Sequence, residues 1–298
     1  MTAPLFKGVI TALITPLRDG KVDEVAFDRL LERQIAAGVD GVVPMGTTGE
    51  NASLTVPENL SVIERCVDKA AGRVRVLAGC GAAATDEAVE WTQFAKKVGA
   101  DGALIVTPFY NRPSQAGLKA HFEAVADSVE LPIVLYNVPG RTGCDLSNEV
   151  VAELARHPNI VGLKDATGDM DRVSWMHANI AGAGTGEFAL ISGDDASFLG
   201  YSAYGGVGVI SVTSNVAPEA MVALNRAIQA GDMASARSWQ DRLIALQTAL
   251  FLDSSPSPAK YALSRLGLCT EEIRLPLYRA NDAVKPAIDA AMAAAGAN

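Results

Sequence analysis

The residue whose type and place most suggest chemistry is Lys164, which closes the apolar run IVGLKD. Lysine is rarely buried, and burial disfavours its charged form, so a lysine at the end of an apolar strand can be held as a neutral amine. A neutral amine attacks ketones and can form a Schiff base. The residues leave two other interpretations open: a lysine that extends along the rim of a sheet into water, and one paired with Asp165.

Two further segments carry groups that would serve such an amine. Tyr136, in LYNVPGR, belongs to the strand-like run before that of Lys164, and its phenol can donate and accept a proton. The GTTGE turn, residues 46–50, offers two hydroxyls and turn N–H groups, which suit a small carboxylate. Each also has a structural interpretation, as a core aromatic and as a tight turn with a helix-capping threonine. Together with Lys164, the two segments favour keto-acid chemistry.

Placing these residues together requires regular elements, and short β-branched apolar runs alternate with helix-like segments along the chain. Eight strands are predicted to begin at Gly8, Gly41, Val74, Gly102, Ile133, Ile160, Ala189 and Gly206. Amphipathic stretches lie between them, such as those that open at Asp23 and Thr85, and these are typical of crossover helices.

Eight apolar strands that are each followed by a helix are the pattern of a closed parallel barrel, because strands buried on both faces lose simple alternation. We therefore predict an α/β protein with a (β/α)8 TIM barrel at residues 1–230 and a C-terminal helical extension at residues 231–298. A doubly wound open sheet is the alternative, and the lack of G-x-G-x-x-G after the first strand argues against it. In such a barrel the chemistry lies where strands end, as Lys164 does.

Composition and charge exclude several classes of protein. The formal charge is -9, with 49% hydrophobic and 20% charged residues, and without a basic run nucleic acid is not an expected partner. No signal peptide or membrane-spanning stretch is apparent. The four cysteines, Cys66, Cys80, Cys144 and Cys269, show no CxxC spacing. The sequence therefore predicts a cytoplasmic protein with reduced cysteines.

Four motifs together resemble the dihydrodipicolinate synthase and N-acetylneuraminate lyase family: GTTGE, TPFYNRP from Thr107, YNVPGRTG from Tyr136, and the GLKD strand. The resemblance covers nearly the whole chain. YNVPGR with TPFYNRP is similar to the synthase branch, which condenses pyruvate with L-aspartate 4-semialdehyde on the way to diaminopimelate and lysine. The resemblance implies a lyase that requires no metal or organic cofactor and assembles as a homotetramer of paired dimers.

The resemblance also implies roles for four catalytic residues. Lys164 would form the Schiff base with pyruvate, and Tyr136 would shuttle protons at the substrate. Thr47 would link a hydroxyl relay that ends at Tyr110, which in the family reaches into the site of a neighbouring subunit.

Four substrate-binding positions follow from the same resemblance. Thr48 and its loop would hold the pyruvate carboxylate, and the backbones of Gly193 and Ile210 would line the site. Arg141, in the GRTG turn, would receive the carboxylate of the semialdehyde, because a planar guanidinium binds a carboxylate bidentately. From the sequence alone Arg141 would be a solvated loop charge.

The family's feedback site for L-lysine is altered in this chain. Val56 and Asn59 stand where histidines are typical of regulated members, Ala83 stands where asparagine is usual, and Phe109 replaces a tyrosine, although Glu87 agrees with the pattern. Apolar groups in place of polar ones weaken the recognition of a charged amino acid. We therefore predict weak or absent inhibition by L-lysine.

Other functions remain as alternatives. Within the family, the substrate would be sialic acid, a keto-deoxy sugar acid or a hydroxyproline breakdown product. A metal-dependent barrel enzyme would need clustered ligands, whereas His121, His157 and His177 are predicted to lie in helices. A phosphate-handling barrel would use the glycines of GGVGVIS but gives Lys164 and Tyr136 no role. A non-catalytic barrel is the last alternative.

Overall fold

The β-strands form a barrel in the computed structural model, which describes residues 4–180 and 188–297. In chain order the strands are β1 (Gly8–Ala12), β2 (Leu17–Arg18), β3 (Lys21–Val22), β4 (Gly41–Val43), β5 (Arg75–Gly79), β6 (Gly102–Val106), β7 (Ile133–Asn137), β8 (Ile160–Asp165), β9 (Ala189–Ser192) and β10 (Gly208–Ser211). Eight parallel strands, all but β2 and β3, close in the order β1, β10, β9, β8, β7, β6, β5, β4. The predicted (β/α)8 TIM barrel is confirmed.

Helices separate the barrel strands and continue after them. They are α1 (Glu24–Ala37), α2 (Val56–Ala70), α3 (Thr85–Val98), α4 (Gln115–Asp127), α5 (Pro139–Thr142), α6 (Asn148–Leu154), α7 (Met170–Ile180), α8 (Phe198–Ala203), α9 (Pro218–Gln229), α10 (Met233–Ala249), α11 (Ser257–Arg265) and α12 (Lys285–Ala295), with 3₁₀ turns η1 (Thr47–Gly49) and η2 (Thr213–Asn215). Asp23 caps α1 by accepting the Ala26 N–H at 3.0 Å, and Gly38 ends that helix at φ +79°. None of the described helices combines the length and apolar composition needed to cross a bilayer.

The burial of the barrel strands explains why the sequence located them. β1, β4, β7 and β10 are buried along their whole length, so their sequences are continuously apolar rather than alternating. All eight predicted strands are present, each within two residues of its expected start. The small β2–β3 hairpin was not predicted. Its two-residue turn, Asp19 and Gly20, has positive φ at both positions, which is the conformation that Asp-Gly turns favour.

Contacts between residues divide the chain into two compact units. The first comprises Met1–Lys7 and Arg75–Ile210, and it contains β5 to β9 with the helices between them. Within this unit the N-terminal segment packs on β6: a Cβ added at Gly102 would lie 2.6 Å from the Phe6 ring. Glycine at the start of β6 is therefore a packing requirement.

The second unit comprises Gly8–Val74 and Ser211–Asn298. It contains β1, the hairpin, β4, α1, α2 and the helices from α9 onward. Of the residues that the structure describes, none beyond β10 forms a strand, and the predicted helices after residue 231 are α10, α11 and α12. The division into a barrel at 1–230 and an extension at 231–298 stays a prediction.

Candidate functional site

Lys164 and Tyr136 lie side by side on β8 and β7. The two residues are register partners in the parallel ladder, and Lys164 Nζ lies 4.0 Å from the centroid of the Tyr136 ring. Lys164 is 6% exposed and Tyr136 is 7% exposed. Lys164 is therefore a buried lysine against an aromatic face, and not one that extends along the rim into water.

An irregularity in the ladder between β7 and β8 sets this pairing. The register shifts by one residue after Ile133, so that Tyr136 pairs with Lys164 rather than with the preceding leucine. The shift lies near Gly162, where an added Cβ would be 2.7 Å from the Ala189 carbonyl oxygen. A side chain at Gly162 would push β8 away from β9 and disturb the strand that carries the amine.

The Lys164 amine has no carboxylate partner among the residues that the structure describes. The neighbouring Asp165 turns its carboxylate to Arg172, with Oδ2 3.3 Å from the guanidinium Nε, and its Oδ1 accepts the Thr167 N–H at 3.1 Å. The interpretation of a Lys164–Asp165 pair is therefore wrong. Burial raises the pKa of Asp165, and the Arg172 charge opposes that rise.

Arg172 and Asn137 extend this ion pair into a network at the end of β7. The Arg172 guanidinium lies 3.4 Å from the Asp145 carboxylate and donates to the Leu146 carbonyl at 2.8 Å. The Asn137 amide donates to Asp145 at 2.6 Å, and its oxygen accepts the Leu146 N–H at 3.1 Å. Because Asn137 follows Tyr136 directly, the network fixes the backbone next to the phenol.

Arg141 and Tyr110 lie on the surface of this unit. Arg141 belongs to the single turn α5 and is exposed, while Tyr110 is 93% exposed and has φ +74°. The Arg112 guanidinium donates to the Gly143 carbonyl at 2.8 Å, which joins the loop of Tyr110 to the turn of Arg141. The structure thus connects the two loops but does not pack the Tyr110 side chain against Tyr136 within one chain.

Gly193 follows β9 and lies against the end of β8. Its N–H donates to the Asp165 carbonyl at 2.7 Å, and an added Cβ would lie 2.7 Å from the Ala166 Cβ. The close approach of the two backbones explains the glycine. Ile210 lies in β10 and is 1% exposed, so its side chain belongs to the core.

The GTTGE turn lies in the second unit, shortly after β4, and contains η1. Its first internal hydrogen bond runs from the Gly49 N–H to the Gly46 carbonyl at 2.9 Å, so the N–H groups of Thr47 and Thr48 precede the bonded part. The Thr15 hydroxyl donates to the Gly49 carbonyl at 2.7 Å. Thr48 is 7% exposed and Thr47 is half-buried. A fixed turn with such N–H groups and hydroxyls can bind a small anion.

Sequence reasoning missed a buried ion pair at the end of this turn. Lys260, in α11, pairs with Glu50, and their side chains are 1% and 0% exposed. Lys260 Nζ also donates to the Glu272 carbonyl at 2.7 Å, and Glu50 accepts the Arg274 N–H at 3.0 Å. The sequence shows only a lysine in the predicted helix SPAKYALSRLG. The structure buries residues 257–263 of α11 around it.

The five positions of the predicted feedback site differ in exposure. Val56 is 44% exposed, whereas Asn59 is 1% exposed. The Asn59 amide donates to three carbonyls before and at the start of α2, those of Asn51, Leu54 and Thr55. The NH2 group of Asn59 thus stabilises its own turn. The other positions are half-buried: Ala83, Glu87 and Phe109.

The histidines do not form a ligand cluster. His121 and His177 lie in α4 and α7, but His157 lies in a turn beyond α6, so the prediction of a helix was wrong there. His157 Nε2 is 3.0 Å from the Asp127 carboxylate. Across residues 4–180 and 188–297, no group of three or more His, Cys, Asp or Glu side chains is arranged to hold a metal ion.

The four cysteines are free, which confirms the predicted thiols. Cys66 and Cys80 are buried, and Cys144 and Cys269 are half-buried. Burial raises the pKa of Cys80 to about 12 and that of Cys269 to about 11. The Cys80 and Cys269 thiols are therefore protonated at neutral pH and are poor nucleophiles.

Comparisons with known proteins agree on one family. The model of the dihydrodipicolinate synthetase family matches residues 5–295. Proteins named 4-hydroxy-tetrahydrodipicolinate synthase from Phenylobacterium zucineum and Hyphomonas neptunium are 54% and 56% identical to the chain, over 99% of it and 99% and 100% of their own lengths. The crystal structure of the chloride-inhibited dihydrodipicolinate synthase from Acinetobacter baumannii, complexed with pyruvate, is 42% identical, with a TM-score of 0.94 over 98% of this chain and 99% of that one.

Proposed function

The chain belongs to the dihydrodipicolinate synthetase family, and from that premise we propose that it is a 4-hydroxy-tetrahydrodipicolinate synthase. It is a lyase of the Schiff-base type that condenses pyruvate with L-aspartate 4-semialdehyde in diaminopimelate and lysine biosynthesis. The observation that carries this function is the Lys164 amine, buried 4.0 Å from the Tyr136 ring without a carboxylate partner in the described residues.

The reaction begins with the Lys164 amine. It attacks the ketone carbon of pyruvate to give a carbinolamine, which loses water and leaves a protonated imine. The positive imine nitrogen is the electron sink for the next step. The methyl group derived from pyruvate loses a proton, which converts the protonated imine into an enamine. The neighbouring Tyr136 phenol is the group that delivers and removes these protons.

The enamine carbon then adds to the aldehyde carbon of the semialdehyde, and the aldehyde oxygen takes up a proton. The amine of the second substrate attacks the imine carbon, which closes the ring and displaces the Lys164 amine. Thr47 and Tyr110 extend the proton path from Tyr136 toward solvent. Each of these steps uses only side-chain acids, bases and the amine, so the proposal includes no metal or organic cofactor.

Substrate binding divides between two kinds of group. Thr48 and the backbone of the GTTGE turn hold the pyruvate carboxylate, and the fixed turn with its leading N–H groups supports this role. Arg141 receives the carboxylate of the semialdehyde, for which an exposed guanidinium on a short turn is suited. The backbones of Gly193 and Ile210 complete the lining.

The proposed assembly is a homotetramer in the cytoplasm, formed from paired dimers. The 93% exposure of Tyr110 supports it, because a proton-relay phenol at a loop tip needs a partner surface that its own chain does not supply. Sedimentation at enzyme concentrations used for assay tests the assembly directly, and a monomer with full activity would contradict it.

The test of the function has two parts. Incubation with pyruvate and borohydride should reduce the imine, and peptide mass mapping should find the added mass on Lys164. A coupled assay should then show turnover of L-aspartate 4-semialdehyde. An unmodified Lys164 would refute the mechanism. Modification without turnover of the semialdehyde would refute only the substrate and leave the other branches of the family, which the named relatives do not favour.

A further inference from the structure

Glu50, the last residue of the GTTGE turn, is held through both its backbone and its carboxylate. Its N–H donates to the Thr47 carbonyl at 3.1 Å, and its own carbonyl accepts the N–H groups of Ser53 and Leu54 at 2.9 and 3.2 Å. Its carboxylate accepts the Arg274 N–H at 3.0 Å. Glu50 therefore joins the turn to the segment that follows and to a distant part of the chain.

The backbone of the turn is unusual on both sides of η1. Glu50 has φ +64° and Met45 has φ +55°, a left-handed conformation that residues other than glycine rarely adopt. Such conformations persist only where the surroundings hold them in place. At the C-terminal end of the turn, the contacts of the Glu50 carboxylate help to hold this backbone in place.

Lys260 supplies the charge that keeps the Glu50 carboxylate in this buried position. Its amine forms the ion pair with Glu50 and donates to the Glu272 carbonyl, and α11 is buried around it over residues 257–263. Burial lowers the pKa of Lys260, while the Glu50 charge opposes that effect. The two side chains are 1% and 0% exposed, so the ion pair and its hydrogen bonds, and not water, stabilise their charges.

From this geometry we propose that Lys260 is a positioning residue for the keto-acid carboxylate. Through Glu50 it sets the place of the turn that presents Thr47 and Thr48, although Lys260 itself touches no substrate. The inference rests on the proposed function, because it assigns the turn to the pyruvate carboxylate. It predicts that loss of the pair weakens pyruvate binding more than it slows later steps.

The test compares Lys260→Met and Glu50→Gln with the wild-type protein. We expect both to raise the KM for pyruvate by about tenfold, with less than about threefold change in kcat and in the KM for the semialdehyde. The concentration of pyruvate that gives half-maximal borohydride trapping should rise by the same factor. This second readout reports binding of pyruvate without the second substrate, and Lys260→Arg, which keeps the charge, should recover part of the loss.

Lys285→Met is the matched control. Lys285 lies in α12 and forms ion pairs at 3.0 Å with Glu271 and Asp282, but it does not contact the GTTGE turn. The Lys285→Met variant should have the same kcat and the same KM for both substrates as the wild-type protein. If Lys260→Met is poorly folded, the double variant Lys260→Met with Glu50→Gln removes both charges and leaves no charge unpaired at this site.

The outcomes separate the two proposals. Folded variants with an unchanged pyruvate KM and a lower melting temperature would show a purely structural pair and overturn the positioning role. An equal rise in the KM of both substrates would also overturn it. If the wild-type protein traps no pyruvate, the proposed function fails before the role of Lys260 is reached.

Discussion

Two lysines are buried among the residues that the structure describes, one at the end of β8 and one in α11, and their surroundings differ. Lys164 is 6% exposed, and its amine lies against the Tyr136 ring without a carboxylate partner among the described residues. Lys260 is 0% exposed, and its amine meets the Glu50 carboxylate and the Glu272 carbonyl.

The difference shows that burial alone does not make a lysine reactive. Burial lowers the pKa of Lys260, but the Glu50 carboxylate and the Glu272 carbonyl both favour the charged form of its amine. An ammonium ion has no lone pair with which to attack a ketone. The Lys164 amine lies against an aromatic face without a carboxylate partner among the described residues, and the proposal assigns the chemistry to this amine.

The largest expected effect distinguishes the two lysines directly. Lys164→Met should lower kcat by at least about a thousandfold and abolish trapping with pyruvate and borohydride, because the covalent route is lost. Mass mapping of the wild-type protein should find Lys164 modified and Lys260 untouched. A reduced pyruvate imine on Lys260 would contradict the distinction between a reactive Lys164 and a structural Lys260.

Tyr136→Phe is the control for that experiment. It removes the phenol oxygen but keeps the ring against the amine, so the imine should still be trapped while kcat falls by about a hundredfold or more. Equal loss of trapping in both variants would mean that imine formation itself requires the Tyr136 hydroxyl.

The next largest effect is expected on the free energy of unfolding when Lys260 is replaced. Lys260→Met should lower the free energy of unfolding by about 3–5 kcal/mol, because it leaves the Glu50 charge buried and unpaired. The double variant with Glu50→Gln should recover much of this loss. Urea unfolding measures both, and a loss in the single variant no larger than that of Lys285→Met would refute the pair as a buried charge pair.

A third buried base sharpens the comparison, because it has no charged partner among the described residues and burial lowers its pKa. His121 is 4% exposed, lies 3.0 Å from the Thr85 hydroxyl, and its pKa is lowered by burial to about 4. In the unfolded chain the His121 imidazole is protonated near pH 6.5. Between pH 6.5 and 4 the unfolded chain therefore binds more protons at this residue than the folded protein does. Stability should therefore fall as the pH falls, by about 3 kcal/mol across this window from His121 alone.

His121→Gln isolates that contribution. Glutamine can keep a hydrogen bond to Thr85 but cannot take up a proton in this range. The difference in unfolding free energy between wild type and variant should change with pH from 7 to 4.5 and be constant above 7. The same pH dependence in both proteins would mean that His121 is protonated in the folded state as easily as in the unfolded one.

The smallest effect is expected from free L-lysine. Glu87 keeps its carboxylate at the predicted feedback site, but Val56, Ala83 and Phe109 offer only apolar groups, and the Asn59 NH2 group is already bonded to its own turn. Activity should therefore be unchanged at micromolar L-lysine. A steep loss of activity at that concentration would refute the prediction.

The barrel could be predicted from the sequence because its strands are short, largely apolar and regularly separated. The sequence also identified Lys164, since a lysine in such a strand conflicts with its surroundings. It did not indicate that Tyr136 would be the register partner of Lys164, because that depends on the one-residue shift after Ile133. A register shift is a property of two strands together and cannot be found in either one alone.

Two other features were beyond the sequence for a related reason. Asp165 was offered as a partner for Lys164 because it is adjacent, yet successive residues of a strand point to opposite faces, and its carboxylate meets Arg172. The Glu50–Lys260 pair joins a loop to a helix far along the chain, and no local pattern links them. The β2–β3 hairpin, by contrast, had a local signal in its Asp-Gly turn that was overlooked.

The partners of the Glu50 carboxylate are synthesised long after Glu50 itself. Arg274 follows Glu50 by 224 residues, and at about 5–20 residues per second a ribosome needs about 10 to 45 seconds to make that stretch. During this interval the GTTGE turn has left the ribosome, but the helix and segment that hold its last residue do not yet exist. A nascent chain halted before α11 would therefore already carry Lys164 and Tyr136, while its GTTGE turn would still lack the contacts of the Glu50 carboxylate with Lys260 and Arg274.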